Sequence, residues 1–314
     1  MVYAEFLKTI QHMLKQRLGD SYSLRLLSVS KNNGILLDGL TILTSDSSLA
    51  PTVYLNSFYE QYQHGMPLED ILDEIQVLFE NNPPPACILD GHISDFSRIS
   101  PKVMMKLIHT QSNKLLLADV PHMSFMDLSV VFYLALGQST HGQMTALIHN
   151  EHMNLWKTDE KTLLKLATAN TPAAYPPLLQ DMGQVMRELA GSNPYISYDE
   201  AALNVLLERT RKLTPLYVLT NSAGIYGACC VLYPGIIKDF AKTLDSDLVI
   251  IPSSIHEVLL TPVGETIPYK TLNSMVASIN ESDVPPEDRL SDHIYLYRRK
   301  TGDFHMILPS GTVV

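Results

Sequence analysis

The sequence predicts an α+β protein, with an antiparallel or mixed sheet built from hairpins and layered by helices. Three observations predict it. Strand-like apolar runs come in pairs. Gly- and Asn-rich turns separate the members of each pair, at Lys31 to Gly34, near Gly137 to Gly142 and at Ser222 to Tyr226. Helical patterns follow these pairs instead of alternating singly with strands, which argues against a doubly wound fold because hairpins build antiparallel sheets.

Taken in order, Phe6, Leu7, Ile10, Met13, Leu14 and Leu18 recur at helical spacing and Gly19 stops them. Tyr22 to Ser30 and Ile35 to Thr44 flank Lys31-Asn32-Asn33-Gly34, whose Asn and Gly tolerate positive φ, so a hairpin is expected. Thr52 to Leu55 reads as a strand, and Phe58, Tyr59 and Tyr62 as a buried helical stripe. Pro67 opens a second strong helical face, Leu68, Ile71, Leu72, Ile75, Leu78 and Phe79. Pro83-Pro84-Pro85 ends it. A helix is expected from Pro101 to His109, then a hairpin from the runs Asp127 to Leu136 and Gln143 to Ile148. Thr158, Asp159 and Glu160 cap a helix that should end before Pro172, with further helices through Met182 to Leu189 and Ala201 to Arg211. Pro215 to Asn221 and Gly227 to Leu232 read as a third hairpin, and Pro234 as the start of a helix to Leu244. Strands Leu248 to Pro252 and Val258 to Thr261, a helix Leu272 to Ile279 and a strand Ile294 to Arg299 complete the pattern; the residues after Gly302 are expected to fray.

The chain has 314 residues, 46% hydrophobic and 18% charged, at the length where one core commonly splits into two. The Pro83 to Pro85 stop suggests an N-terminal helix, hairpin and helix subdomain over residues 1–82, an α+β main region over 86–300, and a tail over 301–314. Net charge is −10, and the densest basic cluster is only Arg209, Arg211 and Lys212, too sparse to displace the counterions of nucleic acid. Cys87, Cys229 and Cys230 form neither a disulfide framework nor a metal knuckle; adjacent Cys229 and Cys230 would face opposite ways in a strand. Met1 to Gly19 lacks the apolar core of a signal peptide, and the longest apolar run, Leu128 to Leu136, is too short for a membrane span. A cytoplasmic protein with no cofactor, no nucleic acid and no membrane is expected.

Chemistry-bearing residues concentrate at Ser253-Ser254-Ile255-His256-Glu257, a polar turn between apolar segments. Its candidate catalytic roles are a base in His256, a carboxylate in Glu257 and a hydroxyl in Ser253 or Ser254. Adjacent residues in extended structure face apart, so Glu257 is badly placed to orient His256, and no Gly-x-Ser-x-Gly elbow is present. The structural alternative has the serines bonding free backbone groups at the strand end. Candidate binding residues are His122 and Asp127, five apart across a turn, and Asn221 beside Gly224 and Gly227; turn closure and hairpin chemistry are the simpler roles. His149 and His152 lack the His-Glu-x-x-His spacing of a zinc helix.

The chain resembles an uncharacterised bacterial family described as a domain of unknown function. The resemblance rests on Lys31-Asn32-Asn33-Gly34, Pro121-His122 with Asp127-Leu128, Trp156 ahead of Ala169-Asn170-Thr171, Leu219-Thr220-Asn221 ahead of Gly227-Ala228, Pro252 to Glu257, and Leu290-Ser291-Asp292. It implies one family unit from about residue 5 to 300 and lends no substrate, cofactor or catalytic residue. Two functions compete on the sequence. The first is a non-enzymatic module that binds a protein partner or forms a homo-oligomer, in line with 13 Met and 15 Tyr. The alternative is a hydrolase-like enzyme centred on His256 and Glu257. Elemental analysis of dialysed protein should show no stoichiometric zinc; a full equivalent would overturn the expectation and implicate His149 and His152 first.

Overall fold

The computed structural model describes residues 1–44, 52–81, 94–139, 142–192, 215–264 and 267–314. The Pro83 to Pro85 boundary, Cys87 and the segment Ala201 to Lys212 lie outside the described residues. In chain order the main elements are α1 (Tyr3–Leu18), β1 (Tyr22–Ser30), β2 (Leu36–Thr44), β3 (Thr52–Tyr54), α2 (Asn56–Gln63), α3 (Leu68–Asn81) and β4 (Val103–His109). There follow β5 (His122–Phe125), β6 (Leu128–Ser139), β7 (Gly142–Leu147), α4 (Asn150–Trp156), α5 (Glu160–Ala174), β8 (Pro177–Asp181) and α6 (Met182–Ser192). The last are β9 (Tyr217–Asn221), α7 (Ile236–Thr243), β10 (Leu248–Pro252), β11 (Val258–Pro262), α8 (Tyr269–Ser282), β12 (Ile294–Tyr297) and β13 (Phe304–Ile307). All strand pairs with a described register are antiparallel, and the fold is α+β with hairpin-built sheets flanked by helices.

The chain divides into two compact units, Met1–Lys102 with Tyr133–Lys157, and Val103–Phe132 with Thr158–Val314. In the first, β1 and β2 pair from Tyr22↔Thr44 to Ser30↔Leu36 around Asn33 (φ 59°) and Gly34 (φ 71°), the left-handed turn the Asn-Gly pair favours. Phe6, Ile10 and Leu14 of α1 pack with Leu40 and Ile42 of β2 and Ile71, Leu72 and Ile75 of α3. Spacings of three and four place each helical set on one face, and alternation does the same for the strand. Arg17 of α1 joins Glu69 and Asp73 of α3 on the rim. The later part of β6 pairs with β7, with a register shift between Ala135 and Gly137.

The second unit holds a six-stranded sheet in the order β13-β12-β10-β11-β9-β8. On one face, α8 covers Val249, Ile294, Leu296 and Ile307 with Val276, Leu272 and Tyr269. On the other, Ile250, Val258 and Tyr295 meet Leu107 of β4, Phe125 of β5 and Leu128 of β6 around a void of ≈ 10 Å³, about the room one water needs. Phe125 and Phe304 meet edge to face there, 5.4 Å between centroids. Helix α5 lies along β4 and binds its backbone: Asn170 Nδ2 donates to Val103 O, and Met105 N donates to Thr171 Oγ1.

Four expectations are corrected. Residues 103–109 form β4 instead of a helix: Val103, Met104, Met105, Leu107 and Ile108 are all buried, and an apolar run buried on both faces carries no period that separates strand from helix. Gly227–Leu232 is a 3-10 helix, so β9 has no hairpin partner after it and pairs with β8 and β11 instead. Cys229 and Cys230 therefore sit in a helical turn, both buried; burial pushes both thiols up, Cys230 to about 12. Helix α5 runs past Pro172 to Ala174, and beyond Gly302 strand β13 pairs with β12 while Val314 exchanges bonds with Met306.

Asn273 is a polar anchor of α8. Its Nδ2 donates to the carbonyls of Ile307 (3.1 Å) and Leu308 (2.9 Å), and its Oδ1 accepts from Ile294 N (2.9 Å). Asn273→Leu keeps the volume but strips partners from three backbone groups, and should lower unfolding free energy by roughly 3 kcal/mol in urea. Exposed Thr271→Ala should stay within about 0.5 kcal/mol of wild type.

Candidate functional site

The pentad forms the connection of the β10–β11 hairpin. Pro252 pairs with Val258, which leaves five residues to turn the chain. Ser254 N donates to Glu257 O (3.2 Å), Ser254 Oγ accepts from His256 N (3.0 Å), and Ser253 Oγ donates to Glu257 Oε1 (3.3 Å). Ile255 is the buried apex: its N–H donates to Asp288 O (2.8 Å) and its carbonyl accepts from Ala228 N (3.3 Å). The serines thus close the turn, and the buried apex pins it to neighbouring loops.

His256 is held on both sides of its ring. The backbone N–H of Tyr226 can only donate, so Nδ1, 3.2 Å away, is the acceptor and carries no hydrogen. In the neutral ring the hydrogen is then on Nε2, which donates to Asp288 Oδ1 at 3.2 Å. The orienting carboxylate is Asp288, a residue the sequence pattern does not mark, and Glu257 takes no part. Tyr226 lies nearly parallel to the ring, centroids 5.9 Å apart, with the Lys106 ammonium 4.3 Å above the tyrosine. Thr220 Oγ1 donates to His256 O (2.8 Å). Gly227 makes this closeness possible, since a Cβ there would lie 2.5 Å from His256 O and 2.3 Å from Thr220 Oγ1.

A second cluster gathers on Asp127. Met126 turns the chain from β5 to β6 at φ 55°, and the Asp127 carboxylate extends to the start of β12. Oδ2 accepts from Ser291 Oγ (2.7 Å) and His293 Nδ1 (3.0 Å), and Oδ1 accepts from Tyr295 Oη (2.7 Å). Ser291 Oγ also accepts from His293 N (2.9 Å). Burial, followed by the Asp127 charge, raises the Tyr295 phenol well above its ordinary 10.0. Among the described residues no bond occupies His293 Nε2, and the side chain is 27% exposed. A carboxylate on Nδ1 of a histidine is the arrangement that orients a general base. His293 is therefore better placed for proton transfer than His256, whose nitrogens are both engaged.

The remaining candidates lie apart. His122 Nδ1 contacts the Val120 carbonyl at 3.0 Å and does not meet Asp127, which pairs with His293 instead. Asn221 is buried and closes its own turn, accepting from Ala223 N (3.0 Å) and donating to Ile225 O (2.9 Å). His149 and His152 cap α4 reciprocally, and His152 stacks on Trp156 at 5.2 Å. Among the described residues no three His, Cys, Asp or Glu side chains converge as metal ligands. Ser291 stands within Leu290-Ser291-Asp292, but nothing local joins it to a residue 164 positions earlier.

Fold and clusters together define an α+β protein whose polar side chains tie loops to the ends of antiparallel strands. The chain belongs to DUF5688, a family of unknown function whose model matches residues 3–299. No curated protein and no solved structure matches it.

Asp127→Asn keeps the shape and removes the charge from three donors, and should lower unfolding free energy by about 2 kcal/mol. Alkali tests Tyr295. Its folded pKa lies above the unfolded value, so the stability it confers is intact below about pH 10 and falls as pH rises towards the folded value. Tyr295→Phe should flatten the alkaline end of the stability curve; an unchanged slope would remove Tyr295 as its source.

Proposed function

We propose that this chain acts by binding, to a protein partner or to a second copy of itself, and not by catalysis at the Ser253 to Glu257 turn. The observation that carries this reading is the engagement of both His256 ring nitrogens, by Tyr226 N and Asp288. A base so held has to lose a bond before it can take a proton from a substrate. The ≈ 10 Å³ void between the sheets has no room for a metabolite. Exposed apolar side chains give binding its means: Met275 (48% exposed) and Ile279 (50%) stand one turn apart on α8, beside the side that carries Val276 into the core. A reducing cytosol suits the buried free thiols of Cys229 and Cys230. Among the described residues no helix is long and apolar enough to cross a membrane.

A second reading, proton transfer in a hydrolase-like enzyme, is favoured by one geometry, the Asp127 carboxylate on His293 Nδ1. It moves the candidate base from His256 to His293.

Sedimentation velocity over a wide concentration range separates the two. Self-association that Met275→Glu with Ile279→Glu abolishes, in a protein whose melting is unchanged, is the expected outcome. A strictly monomeric chain that turns over a substrate from an esterase, amidase and phosphatase panel, with turnover lost in His293→Gln, would replace the binding reading by the enzymatic one.

A further inference from the structure

We propose that the free edge of β1 takes up an extended acidic segment of another protein as a fourth strand of the β1-β2-β3 sheet. Strand β1 pairs with β2 from Tyr22↔Thr44 to Ser30↔Leu36, and in the order β1-β2-β3 no strand lies on its other side. The bond from Lys31 N to Ile35 O continues this ladder and fixes its alternation: odd-numbered residues of β1 bond β2, and even-numbered ones turn N–H and C=O outward.

The outward edge is closed over its first half only. From α1, Lys15 Nζ donates to Tyr22 O (2.7 Å) and Gln11 Nε2 donates to Leu24 O (3.0 Å). Beyond them, among the described residues, the backbone groups of Leu26, Ser28 and Ser30 have no hydrogen-bond partner, and Ser28 and Ser30 are exposed. Edge strands are ordinarily guarded by a charge, a proline or a bulge. Leu26-Leu27-Ser28-Val29-Ser30 has none of the three, since its register with β2 is unbroken. A row of alternating donors and acceptors at strand spacing fits another extended backbone.

The side chains say what that backbone carries. Leu24 and Leu26 pack against the core of the first unit, so Arg25 and Leu27 point to the opposite face, two positions apart. Leu27 is 49% exposed, and Gly39, its partner on β2, offers no side chain to cover it. Arg25 is exposed and, among the described residues, has no acidic partner. Asp38 lies on the α1 face, its carboxylate held by Tyr3 Oη (2.9 Å) and Ser28 Oγ (2.6 Å). An added antiparallel strand with an apolar residue beside Leu27 and, two positions on, Asp or Glu beside Arg25 satisfies both. Strand β1 carries no acidic residue, so a second copy laid edge to edge leaves Arg25 unpaired. The proposal deepens the binding reading by naming the partner's chemistry, and it concerns β1 of the first unit instead of α8 of the second.

The test is amide hydrogen exchange of the whole chain with a capped peptide of alternating Thr and Val, as long as β1 and carrying Leu-Thr-Glu at its centre, beside a twin carrying Leu-Thr-Lys, each titrated to about 1 mM. Protection at Leu26, Ser28 and Ser30 should rise at least about tenfold with the Glu peptide, as a Kd of about 0.1 mM gives. Leu27 and Val29, already in the ladder with β2, should change little, and the Lys peptide should protect much less. Arg25→Glu should reverse the order of the two peptides. Ser28→Pro removes an outward N–H and no ladder bond, and should abolish the effect, whereas Ser28→Ala should keep it; the charge swap at Arg25 decides the matter even if Ser28→Pro does not fold. No gain at Leu26, Ser28 and Ser30, or an equal gain with both peptides, overturns the proposal. So does protection there that appears with rising protein concentration alone, the mark of a second copy. Met275→Glu with Ile279→Glu should leave the peptide effect intact, so a failure at α8 and a failure at β1 are read separately.

Discussion

The second unit turns on one carboxylate. Asp127 leaves the tight β5–β6 turn and receives Ser291, His293 and Tyr295 from the start of β12, so a turn beside β6 is joined to a strand more than 160 residues later. The apolar surfaces around it, Leu107, Phe125 and Leu128 against Ile250, Val258 and Tyr295, supply most of the burial but are indifferent to small slides. Hydrogen bonds are directional, and a half-buried carboxylate left without its donors is costly, so Asp127 selects one register among the arrangements that apolar packing tolerates.

A similar logic governs the β10–β11 connection. Five residues between paired Pro252 and Val258 bring several polar groups into a confined space, and the chain satisfies them locally through Ser253, Ser254 and Glu257 and at longer range through Asp288, Tyr226 and Thr220. Gly227 is the steric condition for this arrangement. Any side chain there meets the His256 carbonyl and the Thr220 hydroxyl, so the segment after β9 tightens into a 3-10 turn beneath the pentad. Its two cysteines are then buried thiols, Cys230 donating to the Thr220 carbonyl, and burial disfavours the thiolate that reactive cysteines need.

The departures from sequence-based expectation share a cause. Residues 103–109 read as a helix because their apolar side chains are continuous, and only the coverage of both faces by the folded unit makes them a strand. Gly227 looks like hairpin punctuation, yet its requirement comes from a carbonyl 29 residues away. His122 and Asp127 looked like partners because they are close in sequence, whereas the histidine that meets Asp127 lies 166 positions on. The pentad was legible as a polar turn at a strand end, but its orienting acid was not, since Asp288 stands in an unremarkable acidic stretch.

By itself the sequence determined what short-range physics controls: the α+β class, the left-handed Asn33-Gly34 turn, the apolar faces of α1 and α3, and the place of the Ser253 to Glu257 turn. These follow from backbone sterics and from periodicity, which act within a few residues. Only the tertiary structure decided the roles of the polar side chains: His256 fixed at both nitrogens, and His293 held by Asp127 with no bond to Nε2 among the described residues. A hydrogen bond needs its partners within about 3 Å, and no local pattern records which distant residues the closed chain will bring that near.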